Sequence, residues 1–196
     1  MVKSILLEGI DGSGKSTHVA LLRQYLEEKG NKVVALREPG GTDYYQAIRE
    51  HVHFTDFKRP AIRDALVCAG GIAANIDATR DALADGKWVI TDRSFISNIL
   101  YQTAQGLDYE TAKRITLLSI GDFQYDVRIL IDIPVTIGRQ RLKEIGKGTD
   151  YWESKGQQYF EEVHKLYHQH AKEFGLTIID GTQSIKQIQQ KIQSLI

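Results

Sequence analysis

The chain has 196 residues, of which 42% are hydrophobic and 26% are charged. This is the composition of an ordinary globular protein, and with a single cysteine it excludes collagen-like, disordered and disulfide-stapled chains. Lysine and arginine together number 25, as do aspartate and glutamate, so the net charge is zero. Proteins that bind nucleic acid without sequence preference carry a basic excess. We therefore expect no nucleic-acid partner, and a local cluster of cations for any bound anion.

Two features bear on the compartment of the protein. The single cysteine, Cys68, has no intrachain partner for a disulfide, which favours a reducing environment. The apolar run Ile5-Leu6-Leu7 ends at Glu8, which is too short for a signal sequence or a membrane span. We expect a cytoplasmic protein with no membrane partner, in the host cytoplasm if the gene is viral.

The elements follow from hydrophobic periodicity and from glycine and proline at the boundaries. Strands are predicted over 3–8, 32–37, 87–91, 127–133 and 176–179. Helices are predicted over 15–29, 60–84, 95–104, 109–120, from Pro134 onward, 157–173 and 185–196. Strands that alternate with helices form a parallel sheet covered on both faces, so we expect a single α/β domain over residues 1–196.

A phosphate-binding loop directly follows the first predicted strand. The segment Gly9-Ile10-Asp11-Gly12-Ser13-Gly14-Lys15-Ser16 fits the pattern G-x-x-x-x-G-K-[ST] and opens the first predicted helix. The glycines let backbone N–H groups surround phosphate oxygens, Lys15 adds a charge on the β and γ phosphates, and the Ser16 hydroxyl is a ligand for Mg²⁺. An ordinary glycine-rich turn is the alternative, but the flanking strand and helix favour a site for a nucleoside triphosphate with Mg²⁺.

Such a loop occurs in switches, motors and small-molecule kinases, so further residues must decide the class. A small kinase needs a second anion site for its acceptor, and Arg37 and Arg93 follow the second and third strands. Asp92 precedes Arg93 and is expected to reach the loop region and hold Mg²⁺, because ligands of open parallel sheets lie at the carboxyl ends of strands. The alternative for Asp92 and Arg93 is a salt bridge that caps the strand.

Four motifs stand in the order found in the thymidylate kinase family. They are 8–17 (EGIDGSGKST), 37–42 (REPGGT), Asp92-Arg93 with Ser97-Asn98 and Tyr101-Gln102, and Asp150 with Glu153. The chain resembles that family over essentially its whole length. The resemblance implies a P-loop kinase fold with a five-stranded parallel sheet and a mobile lid. It also implies a homodimer, and transfer of the γ-phosphate of ATP to a deoxynucleoside monophosphate.

The resemblance also implies roles for individual residues. Asp11 would contact the sugar 3′-hydroxyl and the surroundings of the acceptor phosphate, and Arg37 and Arg93 would hold that phosphate. Asn98 would meet the base, while Tyr101 would close the side of a ribose 2′-hydroxyl, with Gln102 nearby. ATP would contact Gly9, Asp11, Gly12, Ser13, Gly14, Lys15, Ser16 and Thr17, with its adenine at Arg139 and Thr182. The residues expected to be catalytic are Lys15, Arg93, Arg141 and Asp11.

Residues 139–153 look like the lid of this family. Clustered cations and glycines can close over phosphates and exclude water, although a solvated, charged helix end is the alternative. Family members with an arginine inside the P-loop need no lid arginine, and here that position is Gly12. The catalytic cation should therefore come from the lid, with Arg141 as first choice before Arg139, Lys143 and Lys147. Tyr151 follows Asp150 where the family often has an arginine.

The base-reading positions depart from the family. The phenylalanine that stacks on thymine falls at Val67, and the arginine that reaches the thymine carbonyl falls at Gly71. Loss of stacking and of a hydrogen-bond donor predicts relaxed deoxynucleotide specificity or a preference for a modified pyrimidine or a purine in the gap at Gly70-Gly71. dTMP remains the leading candidate by resemblance. The alternative is that a neighbour such as Asn75 or Arg80 supplies the missing contact.

Three histidines, His164, His168 and His170, fall within the predicted helix 157–173. Histidines four residues apart share one helix face, and such a pair is a common part of metal sites. No cysteine or carboxylate in the sequence pattern supports them. We therefore expect a solvated helix face rather than a metal site.

Overall fold

The computed structural model describes residues 2–54, 60–146 and 153–196. Its strands are β1 (Ser4–Glu8), β2 (Val33–Arg37), β3 (Trp88–Asp92), β4 (Val127–Asp132) and β5 (Thr177–Asp180). Its helices are α1 (Lys15–Glu28), α2 (Asp43–Phe54), α3 (Ala61–Ala84), α4 (Phe95–Ala104), α5 (Tyr109–Ile120), α6 (Val135–Glu144), α7 (Gln157–His170) and α8 (Ile185–Gln193). A short 3₁₀ turn covers Glu153–Lys155.

The five strands form one parallel sheet in the order β2-β3-β1-β4-β5. β1 is central and wholly buried, which explains its near-continuous apolar sequence. Successive β1 residues point to opposite faces: Ile5 and Leu7 pack with α1 and α8, and Leu6 packs with the helices of the other face. The predicted five-stranded parallel sheet with helices on both faces is confirmed.

Helix α2 was not predicted from the sequence. It follows the turn of the REPGGT motif, and it places Tyr45 and Ile48 against the larger core. Tyr45 is 2% exposed and packs onto α3. The helix depends on this tertiary packing more than on local propensity. The helical spacing of Tyr45, Ile48 and Val52 was the local signal that sequence reasoning missed.

The β1–α1 turn and the ends of β2, β3, β4 and β5 meet at the carboxyl edge of the sheet. An acidic residue stands at the end of every strand. β1, β3, β4 and β5 end at Glu8, Asp92, Asp132 and Asp180, and Glu38 directly follows β2. The P-loop, the REPGGT turn and helix α6 begin at this edge, so the topology gathers the predicted motifs in one place. Within the part of the chain that the structure describes, no helix is long and apolar enough to cross a membrane.

Candidate active site

A cavity of about 670 Å³ lies at the carboxyl edge of the sheet. Its walls come from the P-loop, the ends of β2 and β3, helices α2 and α6, and the turn after β5. The residues that line it include Asp11, Gly12, Ser13, Gly14, Lys15, Ser16, Thr17, Arg37, Glu38, Arg49, Asp92, Arg93, Arg141, Gly181 and Gln183. The P-loop and the two arginines predicted to hold the acceptor phosphate thus share one open volume. Asn98, Tyr101 and Gln102 are not among the residues that line it.

The P-loop depends on glycine at three positions with positive φ: Gly9 at 145°, Gly12 at 79° and Gly14 at 94°. Gly9 also has no room for a side chain, because a Cβ there would lie 2.5 Å from the carbonyl oxygen of Ile131. The Lys15 Nζ atom donates to the carbonyl oxygens of Gly9 and Ile10 at 3.1 and 3.0 Å. The loop is therefore already wrapped around a cation before any phosphate binds.

Lys15 is 6% exposed, and this burial lowers the pKa of its amino group to about 8. The nearby charge of Arg93 lowers this pKa further, while the carboxylates of Asp92, Asp11 and Glu8 oppose the shift. The physical cause is desolvation, which disfavours a buried ammonium. A polyphosphate beside Lys15 would add negative charge and so favour the protonated ammonium.

Ser16 and Asp92 meet where a cation would bind with the phosphates. The Ser16 hydroxyl donates to Asp92 Oδ2 at 2.5 Å, and both residues line the cavity. A hydroxyl and a carboxylate are hard oxygen donors of the kind that Mg²⁺ takes together with phosphate oxygens and water. The two residues predicted to hold the metal are thus brought together, and their chemistry fits it.

Arg93 is held in a rigid arrangement at the start of the β3–α4 turn. Its φ of 66° makes it the one non-glycine residue with positive φ in the described part of the chain. Its guanidinium donates to Asp11 Oδ1 at 2.8 Å and to the Ser97 hydroxyl at 3.1 Å, and it lies 5.0 Å from the ring centre of Tyr101. The Tyr101 hydroxyl donates to Asp11 Oδ2 at 3.5 Å. Asp11, Arg93 and Tyr101 therefore form one connected group of side chains.

A third cation on the acceptor side, Arg49, was not predicted. Arg37 lines the cavity and donates to Gln46 of α2 at 3.2 Å. Arg49 lines it too and donates to the Pro39 carbonyl oxygen at 2.9 Å, across the REPGGT turn. Because α2 was missed, nothing in the sequence placed Arg49 beside Arg37. The sequence signal that could have identified Arg49 is its position in a helix that begins just after the glycine-rich turn.

Two buried carboxyl groups support this wall. Glu8 accepts hydrogen bonds from the backbone N–H and hydroxyl of Ser97, from the Ser94 N–H and from the Tyr167 hydroxyl. Glu38 accepts from the Ser94 hydroxyl at 3.1 Å, and its Oε2 has no hydrogen-bond partner among the described residues. Burial raises the pKa of both groups, that of Glu38 well above its usual range. They position the β3–α4 turn from below.

Helix α6 packs directly onto the P-loop. A Cβ on Gly12 would lie 2.3 Å from the Gly138 carbonyl oxygen, and a Cβ on Gly138 would lie 2.6 Å from the Asp11 carbonyl oxygen. This contact between two glycines brings Arg141 across the loop, where it donates to the carbonyl oxygens of Gly12 and Gly181 at 3.3 and 3.2 Å. Of the lid cations on α6, Arg141 is the one that lines the cavity.

The other lid and adenine predictions find less support. Arg139 and Lys143 are exposed on α6, and Thr182 is exposed with its hydroxyl on Asp180. None of these three is among the described residues that line the cavity. Residues 147–152 of the predicted lid, including Lys147, Asp150 and Tyr151, lie outside the described residues. The roles of Arg139 and Thr182 therefore stay predictions.

Helix α4 carries the polar side chains expected to meet the base. Asn98 Nδ2 donates to the Ala65 carbonyl oxygen and to the Thr116 hydroxyl at 3.2 and 3.0 Å. Its Oδ1, and the Oε1 of Gln102, are buried without a hydrogen-bond partner in the described chain. The two residues are one turn apart, so a face of α4 presents two unused amide acceptors.

The gap expected at Gly71 is closed. The ring of Tyr45 occupies the space, because a Cβ on Gly71 would lie 2.0 Å from its Cδ2 atom. Val67 is partly buried and packs against the same core. The prediction that the glycine pair leaves room for a larger base is thus wrong. The physical reason is that the Tyr45 ring of α2, a helix that the sequence analysis did not predict, fills the space beside Gly71.

Asn75 and Arg80, the two neighbours that could have replaced the missing base contacts, bind other parts of the chain. Asn75 Nδ2 donates to the carbonyl oxygens of Arg37 and Gly40, so it fixes the REPGGT turn. Arg80 pairs with Asp122 at 2.5 Å beyond the far end of α5. Neither contact leads toward α4, where Asn98 and Gln102 lie.

Comparison with known proteins agrees with this geometry. A sequence model of the family described as thymidylate kinase matches residues 7–192. The chain is 33% identical to the thymidylate kinase of Nitrosospira multiformis over 99% of this chain and 96% of the relative. It is 36% identical to that of Thermosipho africanus over 98% and 96% of the two chains. The chain belongs to the thymidylate kinase family.

Membership of the thymidylate kinase family makes the chain a phosphotransferase. A third relative, the thymidylate kinase of Rhodopirellula baltica, is 32% identical over 97% of this chain and 78% of its own length. These full-length matches do not favour a non-kinase NTPase. They confirm the resemblance drawn from the four motifs.

Proposed function

We propose that the protein transfers the γ-phosphate of ATP to dTMP, which gives ADP and dTDP. The observation that carries the proposal is the single cavity that joins a P-loop to a cluster of acceptor-side arginines. A switch or an ATPase needs only the first of these, whereas a kinase for a monophosphate needs both. The match to thymidylate kinases over nearly the whole chain supports dTMP as acceptor, rather than a modified pyrimidine or a purine nucleotide.

Transfer between two phosphates asks for positioning and for neutralisation of charge. In this proposal Lys15 and the P-loop N–H groups hold the β and γ phosphates of ATP. Arg93, Arg37 and Arg49 hold the phosphate of dTMP. Arg141 lies over Gly12, between the two sides, where negative charge builds up during transfer. Ser16 and Asp92 would hold Mg²⁺, which neutralises charge on the donor phosphates when it is bound.

Asp11 orients the acceptor. Its two oxygens are held by Arg93 and Tyr101, so its position beside the acceptor phosphate is fixed before substrate binds. The buried oxygens of Asn98 and Gln102 match the N–H of a thymine ring, which is a donor and needs an acceptor. Tyr101 lies between these groups on α4 and closes the sugar side of the site.

The assembly is also part of this proposal. We expect a single domain over residues 1–196, which acts as a homodimer in the cytoplasm. Ile62 and Leu66 are exposed one turn apart on α3, and Leu118 is 85% exposed on the neighbouring α5. Large apolar side chains on adjacent helices are typical of an interface. Light scattering at several concentrations tests the dimer, and Leu66→Asp should shift it to monomer.

A phosphorylation panel tests the reaction. ADP release would be measured with ATP and Mg²⁺, alone and with dTMP, dUMP, 5-hydroxymethyl-dUMP, dCMP, dGMP or dAMP at matched concentrations. We expect dTMP to give the highest kcat/KM and ATP alone to give almost no turnover. Turnover with ATP alone that no monophosphate stimulates would identify an ATPase, and a higher kcat/KM for another base would overturn dTMP.

Arg93→Ala separates acceptor binding from donor binding in the same assay. We expect kcat/KM for dTMP to fall much more than KM for ATP rises, because the variant removes a clamp on the acceptor phosphate. Arg23→Ala is the matched control, since Arg23 is exposed on α1 and pairs with Glu27. Unchanged kinetics of Arg93→Ala would remove Arg93 from the acceptor site.

A further inference from the structure

Two histidines of α7 converge on the carboxylate at the end of β4. The Nε2 atoms of His164 and His168 lie 2.8 and 3.1 Å from the same oxygen, Asp132 Oδ1. The two rings are 4.7 Å apart between centroids. All three donor atoms lie within 4.8 Å of one another. The carboxylate that the sequence pattern did not offer is thus supplied by the fold, from the end of β4.

The third histidine of the helix has a different environment. His170 stacks on Tyr109 at 4.0 Å between ring centroids, and its Nδ1 lies 2.8 Å from Glu173 Oε2. It therefore belongs to a surface network on the far side of α7. His164 and His168, by contrast, contact each other edge to face and share one carboxylate oxygen of Asp132.

The donor set fits a specific class of metal. Two imidazole nitrogens and one carboxylate oxygen are ligands that Zn²⁺ accepts, with bonds near 2.0–2.1 Å. In a tetrahedral site such bonds place neighbouring donors about 3.4 Å apart. The observed separations of 2.8 and 3.1 Å need only a small outward movement of exposed imidazole rings. A metal would take the place of the protons that now join the rings to Asp132.

The cluster is separate from the cavity of the candidate active site but adjoins its frame. None of the three residues lines that cavity. The Asp132 carbonyl oxygen accepts from the Gly181 N–H at 2.7 Å, and Gly181 in turn accepts from Arg141. Helix α6 begins three residues after Asp132. A metal here would fasten α7 to the strand from which α6 departs.

We propose that Asp132, His164 and His168 form a binding site for a Zn²⁺-class transition metal, with one open coordination position. The side chains are 24%, 29% and 41% exposed, so an ion has access from solvent. The site joins α7 to β4 and stabilises the folded chain. It is distinct from the pair Ser16 and Asp92, whose oxygen donors suit Mg²⁺ better than Zn²⁺.

Metal binding to the full chain tests this site. The protein would be stripped with chelator, dialysed, and titrated with Co²⁺ and with Zn²⁺ alone, without nucleotide. We expect one equivalent bound, visible d–d bands of low-symmetry Co²⁺ that Zn²⁺ abolishes, and a rise in Tm of about 5–10 °C at a hundredfold excess of Zn²⁺ over Kd.

Variants locate the ion. His164→Ala and His168→Ala should each weaken Zn²⁺ binding by more than the roughly 10–100-fold that loss of an outer-shell partner costs, and should remove the Co²⁺ bands. His170→Ala is the matched control on the same helix and should keep both. Circular dichroism melts in chelator show that each variant folds. The proposal would be overturned if His164→Ala and His168→Ala bound Zn²⁺ as tightly as the wild type does, or if the wild type bound no Zn²⁺.

Discussion

Arg141 shows how one side chain can link the two halves of the site. It reaches from α6 to carbonyl oxygens of Gly12 and Gly181, which flank the place where the donor nucleotide enters. Gly12 contributes no side chain to the P-loop, and the guanidinium of Arg141 contacts its carbonyl oxygen at 3.3 Å and lines the cavity. Its contribution should appear in the transition state, since the charge on the transferring group grows there.

We expect Arg141→Ala to lower kcat about 10²–10³-fold with a smaller effect on either KM, because it removes a cation from the developing charge. Steady-state kinetics with both substrates varied measures this. Lys143→Ala is the matched control: Lys143 is exposed two residues further along α6 and should give near wild-type kcat. If Lys143→Ala were the slower enzyme, Arg141 would not be the lid cation.

The low pKa of Lys15 predicts a pH dependence of donor binding. In the free protein the amino group loses its proton near pH 8, so affinity for ATP should be constant below that pH and fall above it. Titration calorimetry from pH 6.5 to 9.5 measures the effect. Lys15→Arg keeps its charge across this range, so its weaker affinity should show no such fall. A wild-type affinity that is flat to pH 9.5 would contradict the assignment.

At the scale of elements, the contact between α2 and α3 decides the shape of the acceptor side. Tyr45 lies where any side chain on Gly71 would have to go, while Gly70 is in ordinary contact, 3.5 Å from the Tyr44 hydroxyl to a Cβ placed there. Two adjacent glycines of one helix thus have different reasons to be glycine. Packing against Tyr45 requires glycine at position 71, whereas position 70 has room for a side chain.

We expect Gly71→Ala to lower the free energy of unfolding by about 1–3 kcal/mol, because the added methyl group overpacks against the Tyr45 ring. Gly70→Ala should raise it by up to about 1 kcal/mol, since alanine favours the helix and the site has room. Urea denaturation of both variants measures the difference. Equal stability of the two would mean that α2 moves aside easily.

Most elements were predicted to within three residues, because periodicity and turn residues are local properties. The strand and helix limits around Glu8, Lys15 and Asp92 agree with the structure to one residue. Helix α2 was missed because the contact that holds it in place, between Tyr45 and Gly71 of α3, joins residues that are far apart in the chain. The end of α7 was set at 173 rather than His170, where the last turn loosens.

At the scale of the whole molecule, the parallel sheet gathers an acidic group at the end of every strand. Glu8 and Glu38 are the buried members of this set, and desolvation raises the pKa of both. The folded protein therefore holds the Glu38 proton more tightly than the unfolded chain does. The contribution of Glu38 to the free energy of unfolding is fully present at acid pH and is lost as pH rises above about 4.5.

We expect Glu38→Gln to become progressively more stable than the wild type as pH rises from 4 to 8, because glutamine keeps the shape and carries no charge. Urea denaturation at several pH values measures the difference. Glu27→Gln is the control, as Glu27 is exposed and pairs with Arg23. A difference between Glu38→Gln and wild type that does not change with pH would show that Glu38 has the same pKa in the folded protein as in the unfolded chain.

The candidate site divides into what a motif carries and what the fold adds. Lys15, Ser16, Asp92, Arg93 and Asp11 were predicted together because each stands at a fixed offset from a strand end, and parallel strands bring those ends together. Arg49, the burial of Glu38 and the Asp132 cluster depend on pairs far apart in the chain. No spacing rule within a single sequence reports such pairs.

The left-handed backbone of Arg93 has a consequence for how this protein would change under selection. For a residue with a Cβ this conformation costs about 1–2 kcal/mol, which glycine would not pay. Selection for thermal resistance alone should nevertheless gain little from glycine at position 93, because glycine would also remove the ion pair with Asp11 and the hydrogen bond to Ser97. The corner after β3 should thus keep arginine whether stability or turnover is selected, since the contacts of the side chain offset the strain of the backbone.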